Sequence, residues 1–242
     1  MNITGGERSH TMNKPAEADA LLSRVERRKA RTNRRLLEVA RQLFSEKGIY
    51  WAKIEDITEL ADQGKGTFYK YFDSKEAIIR TLLEEGLDEL SAKTEQAVGN
   101  ASSGSKILSA AIEARVDFFL DHPDYLLLFH QVRGMMQLKV DVAKELRDIY
   151  DAHIRRLAQL VKPAVGAGGG GTAQDIATAI AAYTSGLLTY HVLFEGQESV
   201  RRKRKYLLQA LQGSLQSMVR NGNGSVANCD LESSDGNSQS NQ

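Results

Sequence analysis

The 242-residue chain has one cysteine, Cys229, which excludes an intramolecular disulfide and any cysteine-based zinc site. No uninterrupted apolar run approaches the length of a bilayer span, and the first twenty residues lack the apolar core of a signal peptide. These two absences predict a cytoplasmic protein without a membrane partner. Strand-type alternation is also missing, as are a nucleophile elbow, a phosphate-binding loop and a dinucleotide fingerprint. A di-metal bundle site needs Glu-x-x-His on core helices, and the one match, Glu7 to His10, falls in a polar N-terminal stretch. The remaining histidines, His122, His130, His153 and His191, have no ligand spacing. The expectation is a non-enzymatic protein with no metal and no cofactor.

What is present is helical periodicity from about residue 32 to 220, and therefore an all-α fold. Residues 1–23 read as a polar arm and 221–242 as a disordered, low-complexity tail. A first helix carries Leu36, Ala40, Leu43 and Phe44 on one face and stops at Gly48. Two short helices follow, one with Ile54, Ile57 and Ala61 inward and one in the stretch GKGTFYKYF (64–72). Asp73 to Glu76 reads as a capping box opening a long fourth helix striped with Ile79, Leu82, Leu83, Leu87 and Leu90. Small polar residues at 99–105 suggest a joint between domains, and Gly166–Gly171 a flexible break. Thr172 and Asp175 form a second capping box, and a last helix runs from about Val200 with Leu208, Leu211, Leu215 and Met218 on one side.

Net charge is only +1, but it is unevenly spread. Arg24 to Lys53 holds ten basic residues against three acidic, a local net of +7. Such a segment is either a solvated helix face or a surface for a polyanion. The stretch 64–72 favours the second, the alternative being a helical hairpin whose aromatics are all core. On a helical wheel Phe68 and Phe72 coincide, with Tyr71 at their flank, while Gly66, Thr67, Tyr69 and Lys70 point the other way. The rings anchor a helix too short to persist alone. The opposite face offers hydroxyls, a methyl group, a cation and a bare backbone, which suit the major groove of DNA. Lys75, at a helix N-terminus, suits a phosphate.

Here the sequence resembles the TetR family of bacterial transcriptional repressors, closely from about Arg34 to Leu83. The resemblance rests on Ala40-x-x-Leu43-Phe44-x-x-x-Gly48, on Ile54-x-Asp56-Ile57-x-x-x-Ala61, and on Gly66-Thr67-Phe68-Tyr69-x-Tyr71-Phe72-x-x-Lys75-Glu76. It implies a helix-turn-helix domain over 24–78 with its recognition helix at 65–71. A larger helical domain over 79–220 is implied to bind a small effector and to form a homodimer. The candidate DNA contacts are Arg34, Lys53, Lys65, Gly66, Thr67, Tyr69, Lys70, Tyr71 and Lys75. Two departures stand out. Ala52-Lys53 replaces the usual Thr or Ser cap, a loss of about 1 kcal/mol. Asp62-Gln63-Gly64 replaces the usual Gly-Val-Ser turn, which weakens the domain or changes its docking. The alternative to specific DNA binding is a helical ligand-binding or scaffold protein with only non-specific affinity.

For the second domain the family supplies only a helical layout. The small residues Ala177, Ala181, Ala182, Ser185 and Gly186, with Leu208, Leu211 and Leu215, are candidates for a four-helix dimer interface or for packing within the chain. Candidates for a hydrophobic effector's site are Phe118, Phe119, Phe129, His130, Arg133, Met136, Tyr183, Leu187 and His191, although rings and methionines at such spacing also make plain core. The basic run 201–205 reads as a solvated face.

Overall fold

A computed structural model describes residues 24–137, 141–165 and 171–220, and all regular structure among them is helical. The expected arm, tail and most of the glycine run lie outside the described residues, as does the side chain of Met218.

Helix α1 (Arg24–Lys47) begins two turns earlier than the apolar pattern indicates, because Arg24 to Arg31 extend it with exposed side chains only. From Leu36 onward its apolar face is buried, and Gly48 ends it at φ +85°. Helices α2 (Ile54–Leu60) and α3 (Lys65–Phe68) pack under it, and Ile57, Ala61, Phe68 and Phe72 complete the core of a small head. The turn between them puts the left-handed conformation on Asp62 (φ +53°), not on Gly64. Aspartate is among the few side-chain-bearing residues that tolerate it. Gln63 N–H still donates to Thr58 O (2.9 Å), so the turn closes. The missing cap of α2 is half replaced: Lys53 N–H donates to Asp56 Oδ2 at 3.3 Å.

Helix α4 (Lys75–Gly99) runs from the head into the bundle. Its cap is Ser74 and not the expected Asp73. The backbone is extended at Ser74, which aims the hydroxyl at the Ala77 N–H (3.2 Å). The joint at 99–105 turns out to be a short connection between neighbours, since α4 packs along α5 (Gly104–Asp121). Pro123 sits at the first turn of α6 (Pro123–Met135), followed by α7 (Asp141–Val161), α8 (Ala173–Glu195) and α9 (Gln197–Arg220). The Thr172–Asp175 capping box forms as expected. By length and composition α8 could cross a membrane, but Ile176, Ala177, Ile180, Ala181 and Leu188 are buried in the bundle.

Helix α6 joins the two parts. Gln131 Nε2 donates to Phe44 O (2.9 Å), and Ile49 N–H donates to Gln131 Oε1 (2.6 Å), so one amide grips both sides of the α1 terminus. Arg41 lies 2.7 Å from Asp124 and over the Tyr125 ring. Tyr125 also fits against Gly86 of α4, where a Cβ would come within 2.5 Å of the ring.

Candidate nucleic-acid interface

Phe68 and Phe72 are buried with ring centroids 5.7 Å apart, and they fix the orientation of everything outside them. Tyr69 stands edge-on to Phe68 and is 47% exposed, with Gly66 and Lys70 also in solvent and Thr67 and Tyr71 half-buried. A Cβ on Gly66 would meet nothing within 4 Å, so its backbone is open to a close approach. The expected helix at 65–71 is only four residues long. Lys70 N–H bonds Thr67 O and Tyr71 N–H bonds Phe68 O, a tighter three-residue winding that is common where a helix end must satisfy its own carbonyls.

Several predicted contacts are given other partners. Lys75 Nζ donates to Ile49 O (2.9 Å), Ala52 O (3.1 Å) and Tyr50 O (3.4 Å), which uses its three protons to clamp the loop before α2. It is a brace for that loop and not a free phosphate ligand. Lys65 is ion-paired with Glu55, an interaction that raises the lysine pKa and lowers the carboxyl pKa through their hydrogen bond. Lys53 is exposed beside α2. Arg34 borders a cleft shared with Arg41, Glu85 and Tyr125, where burial raises the Glu85 pKa and the charges of Arg41 and Arg34 offset only part of the rise.

The structure adds residues beyond the expected contacts, some of them from the basic segment and others unforeseen. Arg28, Arg31 and Arg35 line a cleft with Gln63 of the turn, so the early turns of α1 place cations beside the α2–α3 unit. Arg35 also donates to Leu60 O (3.2 Å). Tyr50 and Trp51, in the loop braced by Lys75, are 83% and 73% exposed and meet edge to face. Paired rings in a loop with no apolar stripe around them were the available signal.

In the bundle the expected effector set does not converge. Phe118, Phe119 and Phe129 are solid core and Met136 is nearly buried, whereas His130 faces solvent. Arg133 donates to Ser185 Oγ (2.8 Å), and His191 pairs with Glu195 (2.9 Å) on the surface of α8. Tyr183 and Leu187 line an outer groove between α8 and α9. The expected dimer set divides between the core and the surface. Ala177, Ala181, Ser185, Leu208, Leu211 and Leu215 are buried within the chain, because their three- and four-residue spacing follows the inward face. The open groove is lined by Ala182 and Gly186 of the expected set together with Tyr183, Leu187, Ala210 and Ser214, with Leu211 as its floor. The basic run on α9 docks that helix: Arg204 pairs with Asp117 (2.6 Å) and Glu113 (2.9 Å) of α5.

Residues 36–82, which span α2, α3 and the facing parts of α1 and α4, match the pattern of the bacterial regulatory proteins, tetR family. Over these residues the chain carries the DNA-binding pattern of the TetR family. It is similar to the HTH-type transcriptional repressor KstR2 of Rhodococcus jostii, 32% identical over 77 residues, which are 32% of this chain and 38% of that protein. It is similar also to the HTH-type transcriptional activator FasR of Mycolicibacterium smegmatis, 30% identical over 95 residues, 39% and 43% of the respective chains. The chain thus spans less than half the length of these two relatives. In fold it is similar to Salmonella enterica GusR (TM-score 0.63, 21% identity, 78% of this chain and 95% of that one). The regulator FadR of Bacillus subtilis in complex with stearoyl-CoA gives TM-score 0.61 at 18% identity, over 78% and 97% of the two chains. The family pattern lies in the head, and the bundle is matched in fold alone.

Proposed function

We propose that this protein is a cytoplasmic, sequence-specific DNA-binding transcriptional regulator that works as a homodimer and leaves its operator when a small effector occupies the bundle. The carrying observation is the face made by Gly66, Tyr69 and Lys70, held outward by two buried phenylalanines beside the arginines of α1. Two such faces, about 34 Å apart, would enter successive major grooves of a near-palindromic operator. The closed Asp62 turn favours this reading over a scaffold with only non-specific affinity, since the α2–α3 geometry survives the unusual turn sequence.

A second copy fits the α8–α9 groove. Ala182 and Gly186 lie one turn apart there, and no atom stands within 4 Å of where a Gly186 Cβ would be. Exposed Tyr183, Tyr190 and Phe194 continue along α8 and supply apolar area. The stearoyl-CoA bound by Bacillus subtilis FadR supports an effector site in the bundle of this chain.

The test is fluorescence anisotropy with labelled DNA from upstream of the gene, with scrambled competitor, at two salt concentrations. The Tyr69→Ala/Lys70→Ala variant is expected to lose at least about 30-fold in affinity while keeping its dimer and its melting temperature. Unchanged affinity would remove α3 from the interface.

A further inference from the structure

Arg115 is 1% exposed, and among the described residues no carboxylate pairs with it. Its Nε donates to Thr184 Oγ1 (3.3 Å) and one Nη to His153 Nε2 (3.0 Å). A guanidinium can only donate, so Nε2 accepts, the proton lies on Nδ1, and His153 donates onward to Ser91 Oγ at 2.9 Å. The imidazole is held neutral: burial, then the charges of Arg115 and Arg156, press its pKa down to about 3. Burial likewise brings Arg115 down to about 10; Tyr150 offsets part of that fall, and the neighbouring Arg133 adds to it. Neutral acceptors replace only part of the hydration that a buried cation loses, and a second cation nearby adds to the deficit. Among the described residues the bundle centre therefore holds a positive charge with no carboxylate to match it.

Two further observations point to a ligand. A cleft of about 400 Å³ opens between α4 and α7, with Leu87, Ile149 and Ala152 as walls and Ser91 and His153 on its floor, one hydrogen bond from Arg115. On α8, Thr189 is 3% exposed and its hydroxyl has no hydrogen-bond partner, one turn beyond the Ser185 that takes Arg133. Glu84 and Asp88 stand at the rim, and Arg156 pairs with Asp88 there.

We infer that the α4–α7 cleft is the effector entrance and that the effector is an organic carboxylate whose head group pairs with Arg115. The inference rests on the reading of the bundle as an effector domain. The planar fork of a guanidinium matches a carboxylate, and a single negative charge neutralises the one fully buried cation among the described residues. The apolar walls receive the carbon chain, and a cleft of this size takes a small or medium one. His153 is the acceptor that the carboxylate replaces. Because that anion relieves a charge deficit present only in the empty bundle, its binding favours the filled arrangement.

The experiment is thermal melting of the free full-length protein with octanoate, with octanamide as its neutral counterpart, and with inorganic phosphate. Octanoate at a hundred-fold excess over its Kd is expected to raise the melting temperature by roughly 5–10 °C, with no rise from octanamide or phosphate. Arg115→Gln should lose the octanoate response, and His153→Ala, which widens the path, should keep it. Equal responses to acid and amide, a response in Arg115→Gln equal to that of wild type, a response to phosphate matching that to octanoate, or no response to octanoate would each overturn the inference. If Arg115→Gln does not fold, the wild-type comparison of acid with amide decides. No DNA is present in these melts. A protein that binds its operator but ignores octanoate refutes the carboxylate site alone. One that responds to octanoate but ignores DNA refutes the regulator reading and leaves the site standing.

Discussion

Among the described residues up to Phe72, the one polar side chain buried in the head is Thr58, which bonds back to Glu55 O within its own helix. The bundle interior instead holds Ser91, Thr94, Arg115, His153, Thr184, Ser185 and Thr189. The head uses its core only to hold a surface steady, and its charges stand outside. The bundle keeps polar groups and one full charge where they cost stability, which is the usual sign of a site and not of a scaffold.

The comparison is broken most severely by Phe68→Ala. The head has no polar network to fall back on, so removing a fully buried ring should cost about 3–5 kcal/mol and abolish DNA binding. Urea unfolding followed by circular dichroism measures it, and a loss below about 1 kcal/mol would mean that the ring is not the anchor.

Acid should act on the bundle instead. Since His153 has a folded-state pKa near 3 against an ordinary 6.5, the unfolded chain takes up the proton first as pH falls. The stability tied to its neutral form is complete above pH 6.5 and drains away between 6.5 and 3. From pH 6.5 to 4.5 the loss is roughly 2 kcal/mol, and His153→Gln should flatten that slope in urea titrations. An unchanged slope would show that the imidazole is not held neutral.

The link between the two parts can be cut at Gln131. Gln131→Ala leaves Phe44 O and Ile49 N–H without their partner and should cost about 1–2 kcal/mol. Amide exchange should quicken at Ile49 more than at Leu157, deep in the bundle. Uniform quickening would mean that the bond has no local role.

The smallest effect is a gain. Asp62→Gly removes the strain of a side chain at φ +53° and should stabilise the head by about 0.5–1 kcal/mol in the same urea assay. A loss would mean that the aspartate has a bonding role in the turn.

The head was legible because its signals are local. Gly48, the Phe68–Phe72 pair and the stripe on α4 each stand within a few residues of the element they fix. Even so, Lys75 looked like a DNA contact, since nothing local says that its side chain turns back to the carbonyls of residues 49–52. In the bundle the signals are distant. Arg115 meets His153 across 38 residues and Ser91 joins through the same imidazole, so a lone arginine in a helix reads as surface. The small residues of α8 were visible as a stripe, but a stripe does not say whether it faces the chain's own core or another molecule. Ala181 and Ala182 are adjacent in sequence and lie on opposite sides of that question.

Helix α4 has a geometric consequence. Its 25 residues make a rod of about 37 Å with no proline in it, one end beneath the reading face, the cleft along its middle and the other end in the bundle. A rod does not absorb a tilt; it transmits it. Turning the bundle end by about 5° sweeps the head through about 3 Å, close to the step from one base pair to the next. In a symmetric pair the two sweeps would add, so a displacement smaller than one side chain is enough to put two reading faces out of phase with the duplex.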